Sequence, residues 1–239
     1  MTAIRKEHAA SGETYGSPRV FKALKRKGWS VGRKRIERLM RQDKLRGVKR
    51  RKFRSTTDSQ HGLRCFPNVL QRQFTTVCTD DVWASDITYL RTAGGWLYLC
   101  VVLDLYSRRV IGWAMEAHLG EELALKALKM AKERRGRAPR LFHSDRGVQY
   151  ASHNFTRLMQ KWGTAQSMSR TGNCWDNAVV ESFFDSLKTE LAHLRVWRNH
   201  WDARRDVFWY IEVFYNHQRL HSTLGYMPPS EYEELPAAA

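Results

Sequence analysis

Val82-Trp83-Ala84-Ser85-Asp86-Ile87-Thr88-Tyr89-Leu90 is an apolar, β-branched and aromatic run with one carboxylate near its middle. Its length and composition predict a strand. A carboxylate inside such a strand needs either a structural partner or a chemical task. Two other acids sit in comparable settings. Asp145 ends the short apolar segment Leu141-Phe142-His143-Ser144, and Arg146-Gly147 turns the chain after it. Glu181 lies one turn into a helix expected from about Ala178 to Leu194. A strand, a strand end and a helix can each aim one acid at a common point.

Working outward, Gly94-Gly95 predicts a turn into a long strand, Trp96–Tyr106, and Ser107-Arg108 a turn into Val110–Glu116, giving an antiparallel meander. Glu121–Arg135 reads as a helix burying Leu123, Ala124, Ala127, Leu128 and Ala131. Leu141–Ser144 is a short buried strand, His153–Trp162 a helix and Ala165–Ser169 a last strand. A Gly/Asn loop at 170–177 then leads into the helix of Glu181, capped by Asp176 or Asn177. The order β-β-β-α-β-α-β-α predicts an α/β fold of the ribonuclease-H-like kind, a mixed five-stranded sheet flanked by helices.

Charge separates the chain into an arm and a body. Lys and Arg number 41 against 24 Asp and Glu, a net of +17. Residues 1–54 hold 19 basic and 4 acidic side chains, so nearly all the excess lies there. Such a block points to a polyanion, with affinity that falls as salt rises. Ser17-Pro18 starts a helix carrying Val20, Phe21 and Leu24 and stopping at Gly28. After Trp29-Ser30-Val31-Gly32, a second helix has Ile36, Leu39 and Met40 on one face and Arg33, Lys34, Arg35, Arg38 and Arg41 on the other. Together they fit a basic, all-α helix-turn-helix-like segment. Lys49 to Arg54 is expected to be extended. The expected division is 1–54 DNA-binding segment, 55–79 linker, 80–195 catalytic core and 196–239 helical extension.

Cys65, Cys78, Cys100 and Cys174 form no Cys-x-x-Cys pair, which argues against a zinc site or a disulfide framework. The longest apolar run, Trp96 to Leu103, is too short to cross a bilayer, and no signal peptide is visible, so no membrane partner is expected.

From Asp145 to Glu181 there are 35 intervening residues. This spacing matches the D,D-35-E pattern of retroviral integrases and bacterial transposases. Around it stand, in order, Trp83-x-x-Asp86-Ile87-Thr88-Tyr89, Gly95-Trp96-Leu97-Tyr98-Leu99, Val102-Leu103-Asp104-Leu105, His143-Ser144-Asp145-Arg146-Gly147-x-Gln149-Tyr150, Ser167-Met168-Ser169-Arg170-x-Gly172-Asn173-Cys174-Trp175-Asp176-Asn177-Ala178, Glu181-Ser182-Phe183-Phe184 and Tyr215-Asn216-x-x-Arg219-x-His221. From about Tyr15 to Tyr232 the chain closely resembles the second-reading-frame (OrfB) transposases of the insertion-sequence family three.

The resemblance implies a metal-dependent transposase that cleaves the 3′ ends of an insertion element and transfers the strand. It implies double-stranded DNA partners (the terminal inverted repeats and the target), a homo-oligomer on DNA, and a bacterial cytoplasmic, nucleoid-associated location. Family members usually act fused to a first-frame product bearing a further helix-turn-helix and a coiled coil. Neither precedes Met1, so this chain alone is expected to lack specific end recognition or to be a truncated remnant.

The chemistry of the residues agrees. Magnesium, or manganese in its place, prefers carboxylates, phosphate oxygens and water. Two such ions can activate an attacking oxygen and stabilise a leaving one. Asp86 and Asp145 suit shared ligand roles on rigid strands, and Glu181 completes the second ion's set. Taken singly, the bland readings are an edge-strand acid, a turn acid and an exposed helix acid. Asp104 also interrupts an apolar strand but lacks companion spacing, so a structural hydrogen-bonding role is expected.

DNA contacts are expected from Arg146, Gln149 and Tyr150 in the loop after the second acid, and from Arg219 in the tail. Lys188, seven residues after Glu181, is expected either along the incoming DNA, as the resemblance implies, or paired with Asp185. Val180, Phe184, Leu187, Leu191 and Leu194 should face the core. Trp175 is expected to plug the space beneath its loop or to stack on an unpaired base. His143, two residues before Asp145, is expected to point to the opposite face and pack. Asp202 to Glu234 should form an amphipathic extension with Val207, Tyr210, Ile211 and Phe214 inward. Two other classes remain: a non-catalytic DNA-binding regulator, which leaves the acids unexplained, and a ribonuclease-H-like nuclease acting on hybrids or junctions.

Overall fold

The computed structural model describes residues 1–48 and 63–235, apart from the Cys174 side chain. The expected extended run from Lys49 to Arg54 and the start of the linker lie outside the described residues. Helices α1 (Thr2–Ala10), α2 (Ser17–Arg26) and α3 (Arg33–Gln42) come first. Strands β1 (Val82–Thr92), β2 (Gly95–Asp104) and β3 (Val110–Glu116) follow as the expected meander. Then come α4 (Glu121–Arg135), β4 (Leu141–Ser144), the short α5 (Val148–Ala151), α6 (His153–Trp162), β5 (Ala165–Met168) and α7 (Ala178–Glu190). The sheet order is β3-β2-β1-β4-β5, antiparallel on the β3 side and parallel from β1 to β5.

Alternation along the strands sorts the core into two layers. Val82, Ala84, Leu97, Leu99, Val101 and Leu141 face α7 and the C-terminal extension. Trp83, Cys100, Val102 and Phe142 face α4 and α6. Gly112 on β3 lets α4 lie directly on the sheet. A Cβ there would stand 2.2 Å from the Ala127 carbonyl oxygen and 2.7 Å from the Ala131 nitrogen. Gly112→Ala is therefore expected to lower stability by at least about 1–3 kcal/mol, the usual cost of overpacking. Chemical denaturation checks this, and an unchanged midpoint would contradict the close approach.

The C-terminal extension begins with α8 (His200–Phe208), continues through a π-helical stretch Trp209–Tyr215 and ends with α9 (Pro229–Glu233). It covers the sheet edge that β3 would otherwise expose. Asn216 closes that edge like a strand residue: its Oδ1 accepts from the Val110 N–H and its Nδ2 donates to the Val110 carbonyl, both at 3.0 Å. Asp104 has the structural role expected of it, accepting the backbone N–H groups of Asp80 at 2.6 Å and Tyr106 at 2.7 Å.

Helices α1–α3 pack on the extension instead of standing apart. Leu220 N–H donates to the Tyr15 hydroxyl at 2.7 Å, Arg19 reaches Glu190 on α7 at 3.4 Å, and Arg26 pairs with Glu231 on α9. Leu194, expected to face the core, is 51% exposed because α7 ends at Glu190 and a 3₁₀ turn, Ala192–Leu194, swings it outward.

Candidate active site

The parallel ladder between β1 and β4 pairs Val82 with Leu141, Trp83 with Phe142 and Ala84 with His143. Two further steps along each chain reach Asp86 and Asp145, so the sheet brings the first two acids side by side. Residue alternation puts Asp86 on the face of Val82 and Ala84, the face that α7 covers. Helix α7 is clamped there by Asn177, whose Nδ2 donates to the Ser85 carbonyl at 3.0 Å. Glu181 follows one turn later on the same helix.

The charges of Asp145 and Glu181 both reach Asp86. Asp86 titrates well above the usual carboxylate range, first because of burial and then because of Asp145 and Glu181, against which the Ile87 N–H and Lys188 act. Glu181 is also raised, by burial and by Asp185. Asp145 is held by the Gly147 N–H, 3.0 Å from its Oδ1. A Cβ on Gly147 would stand 3.1 Å from that same oxygen, so glycine is what allows the backbone to grip the carboxylate. Among the described residues, no group of three or more His, Cys, Asp or Glu side chains is close enough to grip a metal ion.

This crowding makes a prediction for the metal-free protein. A carboxyl raised in the folded state favours folding less as pH climbs from its ordinary value through its raised one. Asp86→Asn removes that loss. At pH 7 without divalent metal the variant is expected to melt above the wild type, with the gap shrinking as pH falls through the raised value and gone below about 4. An equal or lower melting temperature at pH 7 would contradict the crowding.

The loop before α7 is stapled rather than loose. Asp176 does not cap the helix. It is fully buried, accepts the Arg170 backbone N–H at 3.0 Å and takes the guanidinium groups of Arg170 and Arg72, both at 2.8 Å. Arg170 above all holds this carboxyl far below the usual range. Asn177 occupies the N-cap position, but its amide serves Ser85 instead. With the loop pinned, Trp175 stands 67% exposed and does not plug the space beneath.

Other expected site residues divide clearly. Arg33, Lys34, Arg35, Arg38 and Arg41 form an exposed face on α3, as expected, with Ile36 and Met40 buried behind them. Arg146 is partly exposed, and its guanidinium donates to the Ser169 carbonyl and the Thr171 hydroxyl, joining the loops on either side of the acids. Lys188 adds positive charge beside Asp86 and lies over the Tyr89 ring at 5.2 Å.

Four expectations are corrected. Tyr150 is buried among Phe142 and Phe155, its hydroxyl 2.8 Å from that of Ser85, so it supports the floor beneath Asp86 and cannot stack on a base. Gln149 is also buried, its Nε2 donating to the Leu119 carbonyl at 3.4 Å. The unforeseen helix α5 turns both inward where an open loop was expected. Arg219 is 3% exposed and grips Glu190 with two bonds of 2.7 Å, so it is structural. His143 does pack, but alternation places it on the α7 face with Leu141, not the opposite one. It bonds Ser167 at 2.9 Å, and burial lowers its pKa to about 4.

The comparisons with known proteins follow this geometry. Residues 77–174 and 162–229 each match a family described as an integrase core domain, and residues 1–53 match an HTH-like domain. The chain is 42% identical over 233 residues to the "Insertion element IS600 uncharacterized 31 kDa protein" of Shigella sonnei, covering 97% of this chain and 85% of that one. It is also 42% identical over 225 residues to "Transposase InsF for insertion sequence IS3A" of Escherichia coli (strain K12), covering 93% and 78%. A chain of the simian T-cell lymphotropic virus intasome, solved in complex with PP2A regulatory subunit B56 gamma, superposes with a TM-score of 0.57 at 15% identity, covering 99% of this chain and 76% of that one. That likeness shows the retroviral integrase type of ribonuclease-H-like fold. By sequence, the chain belongs to the IS3 family of insertion-sequence transposases, with an integrase core domain preceded by an HTH-like domain.

Proposed function

We propose that this chain is a DNA transposase in which Asp86, Asp145 and Glu181 form the catalytic centre for 3′-end cleavage and strand transfer of an insertion element. The observation that carries the reading is that Asp145 and Glu181, from β4 and α7, both raise the buried Asp86 carboxyl on β1, in a chain homologous to transposases.

The donor set fits a hard divalent cation: carboxylate oxygens in excess of the positive charge that Lys188 brings. Asp86 and Asp145 would hold two Mg²⁺ or Mn²⁺ ions, with Glu181 completing the set. Bound there, the ions supply Lewis acidity and lower the pKa of an attacking water or 3′-hydroxyl. The protein's own part is positioning. The Gly147 amide and the Asn177 clamp fix the acids, Lys188 offsets charge as the phosphate backbone arrives, and the basic face of α3 holds duplex DNA through its phosphates. Arg146 and Trp175 flank the strand near the acids, where an exposed indole can stack on a base.

The expected division at 1–54, 55–79, 80–195 and 196–239 serves as the functional map. Residues 1–54 bind DNA and the last segment closes the core. Pairing two element ends calls for at least two copies on DNA, at the nucleoid, and a first-frame product is a candidate partner for end recognition. No helix among the described residues is long and apolar enough to cross a membrane.

The test is incubation with DNA bearing the element's terminal inverted repeats in Mg²⁺ or Mn²⁺. Metal-dependent nicking at the 3′ ends and joined products are expected. DNA binding with no cleavage in either metal would favour a regulator instead.

A further inference from the structure

Next to the acids, the β1–β2 hairpin and the C-terminal end of α7 enclose a cleft of about 700 Å³. That is the size of a small-ligand site, suited to one or two nucleotides and not to a duplex. Its walls combine two kinds of group. Tyr89 and Trp96 meet edge-to-face, with centroids 5.1 Å apart, and both are exposed, Trp96 by 48%. Arg91, Lys188 and Arg195 bring cations to the lining, against the single carboxylate of Asp185. Large aromatic side chains left exposed at a cationic rim are the composition that single-stranded nucleic acid selects: rings for base faces, cations for the backbone.

The cleft is held together by the backbone and linked to the acids through one side chain. Ala93 N–H donates to the Trp197 carbonyl at 2.9 Å, which ties the hairpin to the segment that makes the floor. Lys188 bridges the two regions, since it acts on Asp86 and also lies over Tyr89. The β1–β4 ladder ends at the pair Ala84–His143, so beyond it the β1 edge that leads from Asp86 towards the cleft has no strand beside it.

We propose that this cleft binds an unpaired DNA strand end, stacking a base on Trp96 with Tyr89 at its edge and holding its phosphate with Lys188, Arg91 and Arg195. The proposal rests on the transposase reading and adds a subsite to it, one that keeps a frayed or cut strand apart from the strand at the acids.

The test uses the full chain without divalent metal and measures fluorescence anisotropy with two probes. One is a blunt duplex, and the other is the same duplex with a three-nucleotide single-stranded extension. The wild type is expected to prefer the extended probe by about tenfold, as one stacked base delivers. Trp96→Ala and Arg195→Glu, both at exposed positions, should each reduce that preference towards unity. The affinity of Trp96→Ala for the blunt probe should stay within about twofold of wild type. Equal affinity of the wild type for both probes would overturn the proposal, as would an equal loss on both probes in Trp96→Ala. A change in oligomeric state with the preference intact would assign the face to a second copy of the chain and also overturn it. End joining in metal remains a separate readout. A chain that joins ends without any tail preference loses this subsite alone, and one that keeps a Trp96-dependent preference without joining loses the transposase reading.

Discussion

Asp145→Asn is expected to reduce strand joining about a thousandfold or more while leaving duplex DNA binding within about twofold of wild type. Metal-assisted charge stabilisation contributes several kcal/mol to such reactions, and about 4 kcal/mol corresponds to that factor. The amide keeps the size and the Gly147 contact of the carboxyl but removes the charge that a cation needs. Binding survives because the proposed duplex contacts lie on α3, whose exposed face carries Arg33, Lys34, Arg35, Arg38 and Arg41. The same substitution relieves Asp86, whose carboxyl Asp145 helps to raise. Joining assays in Mn²⁺ beside anisotropy measurements check both halves. Wild-type joining by the variant would remove Asp145 from the chemistry.

Arg219→Ala is expected to be the most damaging substitution to folding outside the apolar core. Arg219 and Glu190 are almost wholly buried, and Glu190 also receives Arg19 and the Tyr210 hydroxyl. Truncation leaves a buried carboxylate with its main partner gone, a loss of about 3–5 kcal/mol. For a chain of this length that amounts to a fall in melting temperature of about 10 °C. Burial pushes Glu190 up, but Arg219 outweighs it and the net shift is downward. Its contribution is therefore present above the ordinary carboxylate range and lost as pH falls through the lowered value. Calorimetry across pH 3–7 checks the size and the direction. A stable variant with weakened DNA binding would restore Arg219 to the DNA-contact role that its burial argues against.

What sequence reasoning recovered follows from the range of the interactions involved. The meander, α4, β4, α6 and the start of α7 are set by local periodicity and turn residues, and they stand where the pattern put them. The acids were singled out by their spacing and the ordered motifs around them, which are visible without any tertiary information, whereas each taken alone has a bland reading. Tyr150 and Arg219 were misjudged because their fates depend on distant partners: Ser85 lies 65 residues from Tyr150, and Glu190 lies 29 from Arg219. The short α5 gave too few residues for a period to show. Trp175 went the other way. Its loop is pinned by Arg72 from the linker, a contact no local pattern announces, and so the indole is left outside. His143 carries a usable signal, since residues two apart on a strand share a face, which puts it on the Asp145 side and not opposite it.

Anomalous diffraction from crystals grown with Mn²⁺ decides whether Asp86, Asp145 and Glu181 grip the same ions. Manganese peaks are expected within about 2.0–2.6 Å of carboxylate oxygens of both Asp86 and Asp145, with Glu181 turned towards the pair. Manganese bound elsewhere, with these three side chains left without it at saturating concentration, would remove them from the proposed catalytic centre.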